Sequence, residues 1–155
     1  MEKEKVLSLL QSADQLSLDE IEKYLSSNDK DIKHEAWNYV LKKAKYLPHS
    51  FLVSLLKFPD TGTRYRAWNS LPSFISEGLI SVEETKSYKE YFIEMLRDSN
   101  LTVRFLSWYV TLKQILVLGI VNEEDIKKEK KYLIELLQID EYKELVNELL
   151  SELKM

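Results

Sequence analysis

Apolar residues recur at helical spacing along nearly the whole chain, and the polar residues between the apolar runs divide it into about nine helices. The first is predicted over Glu2 to Ala13. Ser17, with Glu20 three residues on, is a capping box opening a helix to about Ser27. Asp29 starts the next, which reaches Leu47 ahead of Pro48, and a short helix follows from Ser50 to Phe58, ended by Pro59. Thr61 or Thr63 opens another to Glu77, with Gly78 as its stop and Pro72 predicting a kink inside it. Ser81 and Glu84 form a second capping box, leading a helix to Asp98. Asn100 opens a helix ending near Gly119, Asn122 and Asp125 cap one reaching Ile139, and the last spans Glu141 to Leu153. The connections are short, so consecutive helices are expected to be antiparallel neighbours in a single domain, residues 1–155.

Composition narrows the chemistry. With 45% hydrophobic and 31% charged residues the chain can bury a core, and three Gly and three Pro are few for a strand-rich fold. The absence of Cys excludes disulfides, thiolate metal sites and a thiol nucleophile. No apolar run follows Met1–Lys5, and the longest, Ile115 to Val121, cannot span a bilayer, so a cytoplasmic protein without a signal peptide or membrane span is expected. His34 and His49 are the only histidines, and no zinc-protease, phosphate-loop or nucleophile-elbow motif occurs. The expectation is a protein that is not an enzyme and has no cofactor or metal. Glu83-Glu84 and Glu123-Glu124-Asp125 fall in first helical turns, where the helix dipole favours negative charge, and read as caps. His34 reads as an exposed surface residue and His49 as a turn residue without a role.

Two internal repeats are visible. Gly78 and Gly119, 41 residues apart, are followed by similar runs, Leu79-Ile80-Ser81-Val82-Glu83-Glu84 and Ile120-Val121-Asn122-Glu123-Glu124-Asp125. Independently, Trp37, Trp68 and Trp108 each follow a small residue (Ala36, Ala67, Ser107) and sit four residues after a basic one (Lys33, Arg64, Arg104). Asp29, Asp60 and Asn100 precede the three copies at equal offset. The small residue permits close helix approach, the Trp fills the seam to the next repeat, the Asp caps the helix, and the cation pairs between repeats.

Asp60, Arg64, Ala67 and Leu71, and then Asp29, Ile32, Lys33, Ala36 and Val40, resemble the second helix of the HEAT family of helical repeats. The third copy departs at Asn100, Ser107 and Thr111, the Trp spacing is 31 and then 40 residues, and the family's Pro early in the first helix is absent. Over about Leu16 to Ile139 the resemblance implies an all-α fold, a right-handed α-solenoid of about four antiparallel helical hairpins, and a scaffolding habit rather than a reaction. The activity of HEAT-like DNA glycosylases is not carried over, because no aromatic-plus-Asp pocket can be pointed to.

In such a solenoid the second helices line the inner face. Here they are Lys30–Leu47, Thr61–Glu77 and Leu101–Leu118, with net charges of +3, +1 and +2, which leaves −10 on the rest of a chain of net charge −4. Aligning the copies on Trp gives columns of His34, Tyr65 and Phe105, then Asn38, Asn69 and Tyr109, then Lys42, Ser73 and Lys113. His34, Asn38, Lys42, Tyr65, Arg66, Asn69, Phe105, Tyr109 and Lys113 are therefore the candidate binding residues. They suit a protein partner with an acidic surface, which makes the chain a protein-interaction adaptor or scaffold. The alternative is a nucleic-acid-binding repeat protein that contacts phosphates through the same face. The helix from Phe105 to Val121 is apolar almost all round and is expected to be buried on more than one side.

Overall fold

The computed structural model describes residues 2–12 and 15–155, which are helical with no strand among them. The expected end of the first helix at Ala13 lies outside the described residues. The helices are α1 (Glu2–Ser12), α2 (Leu18–Leu25), α3 (Lys30–Lys43), α4 (His49–Ser54), α5 (Thr61–Ser76), α6 (Val82–Thr85), α7 (Lys89–Met95), α8 (Leu101–Leu106), α9 (Leu112–Val117), α10 (Glu123–Lys127), α11 (Lys130–Ile134) and α12 (Asp140–Glu152). Short 3-10 turns at Ala44–Tyr46, Leu55–Lys57 and Glu135–Gln138 extend α3, α4 and α11, and Lys86–Tyr88 bridges α6 to α7. A π-helical turn, Ser107–Thr111, joins α8 to α9.

The predicted caps form. Ser17, Ser81 and Asn122 each close a reciprocal box, with Glu20, Glu84 and Asp125 respectively. Asp29, Asp60 and Asn100 accept first-turn N–H groups of α3, α5 and α8. Gly78 and Gly119 adopt φ of 76° and 75°, the left-handed conformation that ends a helix at low cost without a Cβ.

Three predicted helices are divided instead of continuous. Residues 81–98 and 122–139 each break once, and the breaks have the same backbone, Tyr88 at φ −108°, ψ 8° and Glu129 at φ −100°, ψ 3°. Those residues are 41 apart, so the break belongs to the repeat. The third, residues 100–119, is interrupted by the π turn. Pro72 lies within the bounds of α5.

Packing follows chain order. Helices α1 and α2 lie on α3, α3 touches α5, α5 touches α7, α8 and the π turn, and the π turn touches α12. The small residues of the Trp frame, Ala36, Ala67 and Ser107, are all fully buried, as the close-approach argument requires. Trp68 Nε1 donates to the Leu56 carbonyl at 2.8 Å and Trp108 Nε1 to the Leu96 carbonyl at 2.7 Å, each twelve residues back along the chain. Trp68 also packs on Phe92 of α7, ring centroids 5.4 Å apart, so it fills the seam to the next helix pair. Trp37 is buried too.

One part of the frame, without the small residue or the Trp, also occurs outside the three copies, although Thr111 takes the aliphatic place in the third. A cation followed seven residues later by an aliphatic residue occurs as Lys33 and Val40, and as Arg64 and Leu71. The same pair occurs in α1 as Lys3 and Leu10 and in α12 as Lys143 and Leu150. Leu10, Val40 and Leu71 are buried, and Leu150 packs against the core.

Candidate functional site

The clearest constellation is a pair of superposable rungs between helices. Arg64 Nε donates to the Phe58 carbonyl at 2.9 Å, and its Nη1 donates to the Tyr91 carbonyl at 3.2 Å and to Glu94 Oε1 at 2.8 Å. Arg104 Nε donates to the Asp98 carbonyl at 2.9 Å, and its Nη1 donates to the Tyr132 carbonyl at 3.3 Å and to Glu135 Oε1 at 2.7 Å. Each guanidinium lies 5.5 Å from the ring centroid of its tyrosine, Tyr91 or Tyr132. Both arginine side chains are under a tenth exposed, whereas Glu94 and Glu135 are about half exposed. The planar five-donor head explains why Arg stands here: it satisfies two carbonyls and a carboxylate at once.

Other ion pairs follow the same direction along the chain. Lys3 lies 3.0 Å from Asp29 and 2.8 Å from Asp31, Lys33 lies 2.9 Å from Asp60, Lys89 lies 3.2 Å from Asp125, and Arg97 pairs with Glu129. The hydrogen bond that Arg97 donates to Glu129 holds its guanidinium above the ordinary value, and those that Lys3 donates to Asp31 and Asp29 do the same for its ammonium. Lys33 thus bonds the residue that caps α5, so one carboxylate serves both the helix start and the link between helix pairs.

These rungs change the charge reading. Lys33, Arg64, Arg104 and Lys113 all pair with acids, the last with Glu152 at 2.8 Å. Arg66 is half-buried, burial pulls its guanidinium below the ordinary value, and its Nη1 donates to the Lys33 carbonyl at 3.5 Å. What remains without an acid partner on the three second helices is Arg66 on α5 and Lys30, Lys42, Lys43 and Lys45 on α3 and its 3-10 extension. A charge sum over sequence counts cations that the fold has already matched.

The nine predicted binding residues are placed unequally. His34, Lys42, Asn69 and Lys113 are exposed, while Asn38, Tyr65, Arg66 and Tyr109 are half-buried. Phe105 corrects the expectation of an exposed anchor: it is 7% exposed, stacked 4.0 Å from the Tyr142 ring of α12 and 5.3 Å from Tyr109. Its partner comes from a helix 37 residues away, which no local pattern shows. Lys113 lies 5.6 Å from the Tyr109 ring centroid, so Phe105, Tyr109 and Lys113 form one contiguous group with Tyr142 and Glu152. Asn69 Oδ1 accepts from Thr111 Oγ1 at 2.9 Å and so links α5 to the π turn.

The third column is also displaced. Up to Trp108 the second and third copies align at 40 residues, as the Arg, Trp and cap contacts show. Past the π turn they align at 41. Leu79 N–H bonds the Phe74 carbonyl as Ile120 N–H bonds the Ile115 carbonyl, and Gly78 to Ile75 matches Gly119 to Leu116. The structural equivalent of Ser73 is therefore Gln114, and Lys113 matches Pro72. The mostly buried reading of Phe105 to Val121 holds for Trp108, Leu112, Ile115, Ile120 and Val121, but Val117 is 86% exposed beside Pro72.

Residues that local reasoning passed over also take part. His49 Nε2 lies 2.7 Å from Glu84 Oε1 and ties α4 to the cap of α6. At Glu84 burial pushes the carboxyl up, but hydrogen bonds from Ser81 and the neighbouring His49 outweigh it and hold the group below its ordinary value. At the equivalent Asp125 burial is likewise outweighed, by the Asn122 N–H and by Lys89. Among the described residues no group of three or more His, Cys, Asp or Glu is placed to hold a metal ion, and no helix is long and apolar enough to cross a membrane.

The fold thus defines an all-helical protein with internally repeated side-chain contacts. Comparison with protein-family models, curated proteins and solved structures gives no match.

Proposed function

We propose that the chain is a non-enzymatic binding module, a right-handed solenoid of about four HEAT-like antiparallel hairpins that serves in the cytoplasm as a protein-interaction adaptor or scaffold. The observation that carries this reading is the recurrence of one interaction set, Arg to two carbonyls and a carboxylate and Trp to a carbonyl twelve residues back, at Arg64 with Trp68 and again at Arg104 with Trp108. Repeats in which each unit packs mainly on its neighbours spend their conserved contacts on stacking and leave long side surfaces for partners. The partner is a protein with an acidic surface, met by the exposed lysines of α3 together with Tyr65, Asn69 and Tyr109. The test is affinity capture from source lysate with the whole chain, run with and without nuclease. Saturable capture of one protein that survives nuclease supports the adaptor. Capture that nuclease abolishes, with affinity for nucleic acid falling steeply with salt, supports phosphate binding instead.

A further inference from the structure

A cleft of about 590 Å³ opens at the C-terminal end of α3, between the start of α2 and the turn into α4. Leu16, Leu18, Tyr39 and Leu47 supply its apolar surface, and Lys43 and Tyr46 stand on its wall. The floor is fixed: Tyr39 is buried, and its hydroxyl accepts the Leu16 N–H at 2.8 Å. The rim is less economical. Tyr46 is 83% exposed, and Lys42 and Lys45 are exposed on either side of Lys43. Three lysines within four residues repel one another, and the negative end of α3 offsets only part of that cost. None of the three makes an ion pair among the described residues, whereas Lys33, Arg64, Arg104 and Lys113 on the same set of helices all do.

We propose that this cleft is a docking site for an acidic peptide segment of a partner protein, with an apolar side chain seated against Tyr39, Leu47 and Leu18 under Tyr46 and carboxylates facing Lys42, Lys43 and Lys45. The proposal rests on the binding-module reading and gives the partner's contact with the α3 lysines a cleft of its own, apart from Tyr65, Asn69 and Tyr109. Charge complementarity selects the occupant. Another exposed apolar groove, beside Pro72 and Val117, has Lys113 at its edge already paired with Glu152 and so offers no such selection. Tyr supplies contact area at small entropic cost, and the lysines steer encounter, so binding should weaken as salt rises.

The test is selection of phage-displayed random dodecapeptides on the whole chain, followed by anisotropy titration of the enriched peptides, labelled, against variants. Enriched peptides should carry net negative charge and at least one large apolar residue. The triple variant Lys42→Glu, Lys43→Glu, Lys45→Glu should weaken them about tenfold or more, and Tyr46→Ala about fivefold, as expected for a charged rim and an aromatic anchor. The matched triple variant Lys127→Glu, Lys128→Glu, Lys131→Glu, exposed on α10, its C-cap and α11, should change affinity about twofold or less. All substituted side chains lie at least partly at the surface, and circular dichroism verifies that each variant folds. Enriched peptides that are not acidic, or that both triple variants weaken equally, overturn this site and leave the binding-module reading standing. A 20-nucleotide single-stranded DNA that displaces the peptides at lower concentration than the peptides themselves also overturns it. No enrichment at all overturns the site and counts against the binding module as well.

Discussion

Helices α5 and α8–α9 share one set of contacts in their first halves and differ in their second. Up to the tryptophan they match atom for atom: Arg64 and Arg104 bond equivalent carbonyls and carboxylates, and Trp68 and Trp108 bond carbonyls twelve residues back. After it, α5 continues as α-helix to Ser76, with Pro72 within its bounds, whereas the third copy opens into the π turn Ser107–Thr111 before resuming. The difference is one residue. An α-helix advances about 100° per residue, so an extra residue would rotate everything downstream out of the core. A π turn absorbs it locally and returns Leu112, Ile115 and Gly119 to the places held by Leu71, Phe74 and Gly78. Ser107, which stands at the start of the π turn where the other copies carry Ala36 and Ala67, has a buried Oγ with no hydrogen-bond partner among the described residues.

The largest expected effect is therefore from deletions. Removing Ser70 from α5 should abolish cooperative unfolding, because no π turn is there to take up the lost residue. Removing Val110 should leave a folded protein, with the π turn converted to regular helix. Circular dichroism melts of both deletions decide this, and equal damage from the two would break the insertion argument.

Arg64→Lys and Arg104→Lys should each cost about 1–3 kcal/mol, because an ammonium cannot serve two carbonyls and a carboxylate from one position. Glu94→Gln and Glu135→Gln should cost less than about 1 kcal/mol, since those carboxylates are half exposed. Urea midpoints measure all four, and a large difference between the two rungs would show that the π turn weakens the one beside it.

The small-residue position separates the copies in sign. Ala67→Leu should destabilise by about 1–3 kcal/mol through overpacking. Ser107→Ala should stabilise by about 1 kcal/mol, because it removes a buried hydroxyl that nothing satisfies. Ser73→Leu, at an exposed site, is the neutral reference.

The smallest effect is with pH. Glu84 and Asp125 hold equivalent caps, and both carboxyls lie below their ordinary values of 4.5 and 3.8. A depressed folded value means that the carboxylate's contribution is complete above the ordinary value and is lost as pH falls through the folded one. Melting temperature should thus decline below about pH 4.5, and Glu84→Gln and Asp125→Asn should each flatten part of that decline. Melts of the two variants with the same acid slope as the parent would remove the caps from the account.

Much of this was legible in the chain because the interactions are local. Caps act over three residues, so Ser17, Asp29, Asp60, Ser81, Asn100 and Asn122 declare themselves. The small-residue and Trp frame showed which side chains meet the core, since burial on one face forces the pattern. Even the inserted residue is implicit in the sequence, as a Trp spacing of 40 against a Gly spacing of 41.

Partners separated by tens of residues were not legible. That Arg64 meets Glu94, that Phe105 is covered by Tyr142, and that His49 reaches Glu84 depend on how helices stack. Residue type at one position does not encode the neighbour that packing brings to it. For the same reason the sequence determined the sign and number of charges on the second helices, and only the tertiary structure decided which of them were matched inside the stack and which, on α3, were left facing solvent.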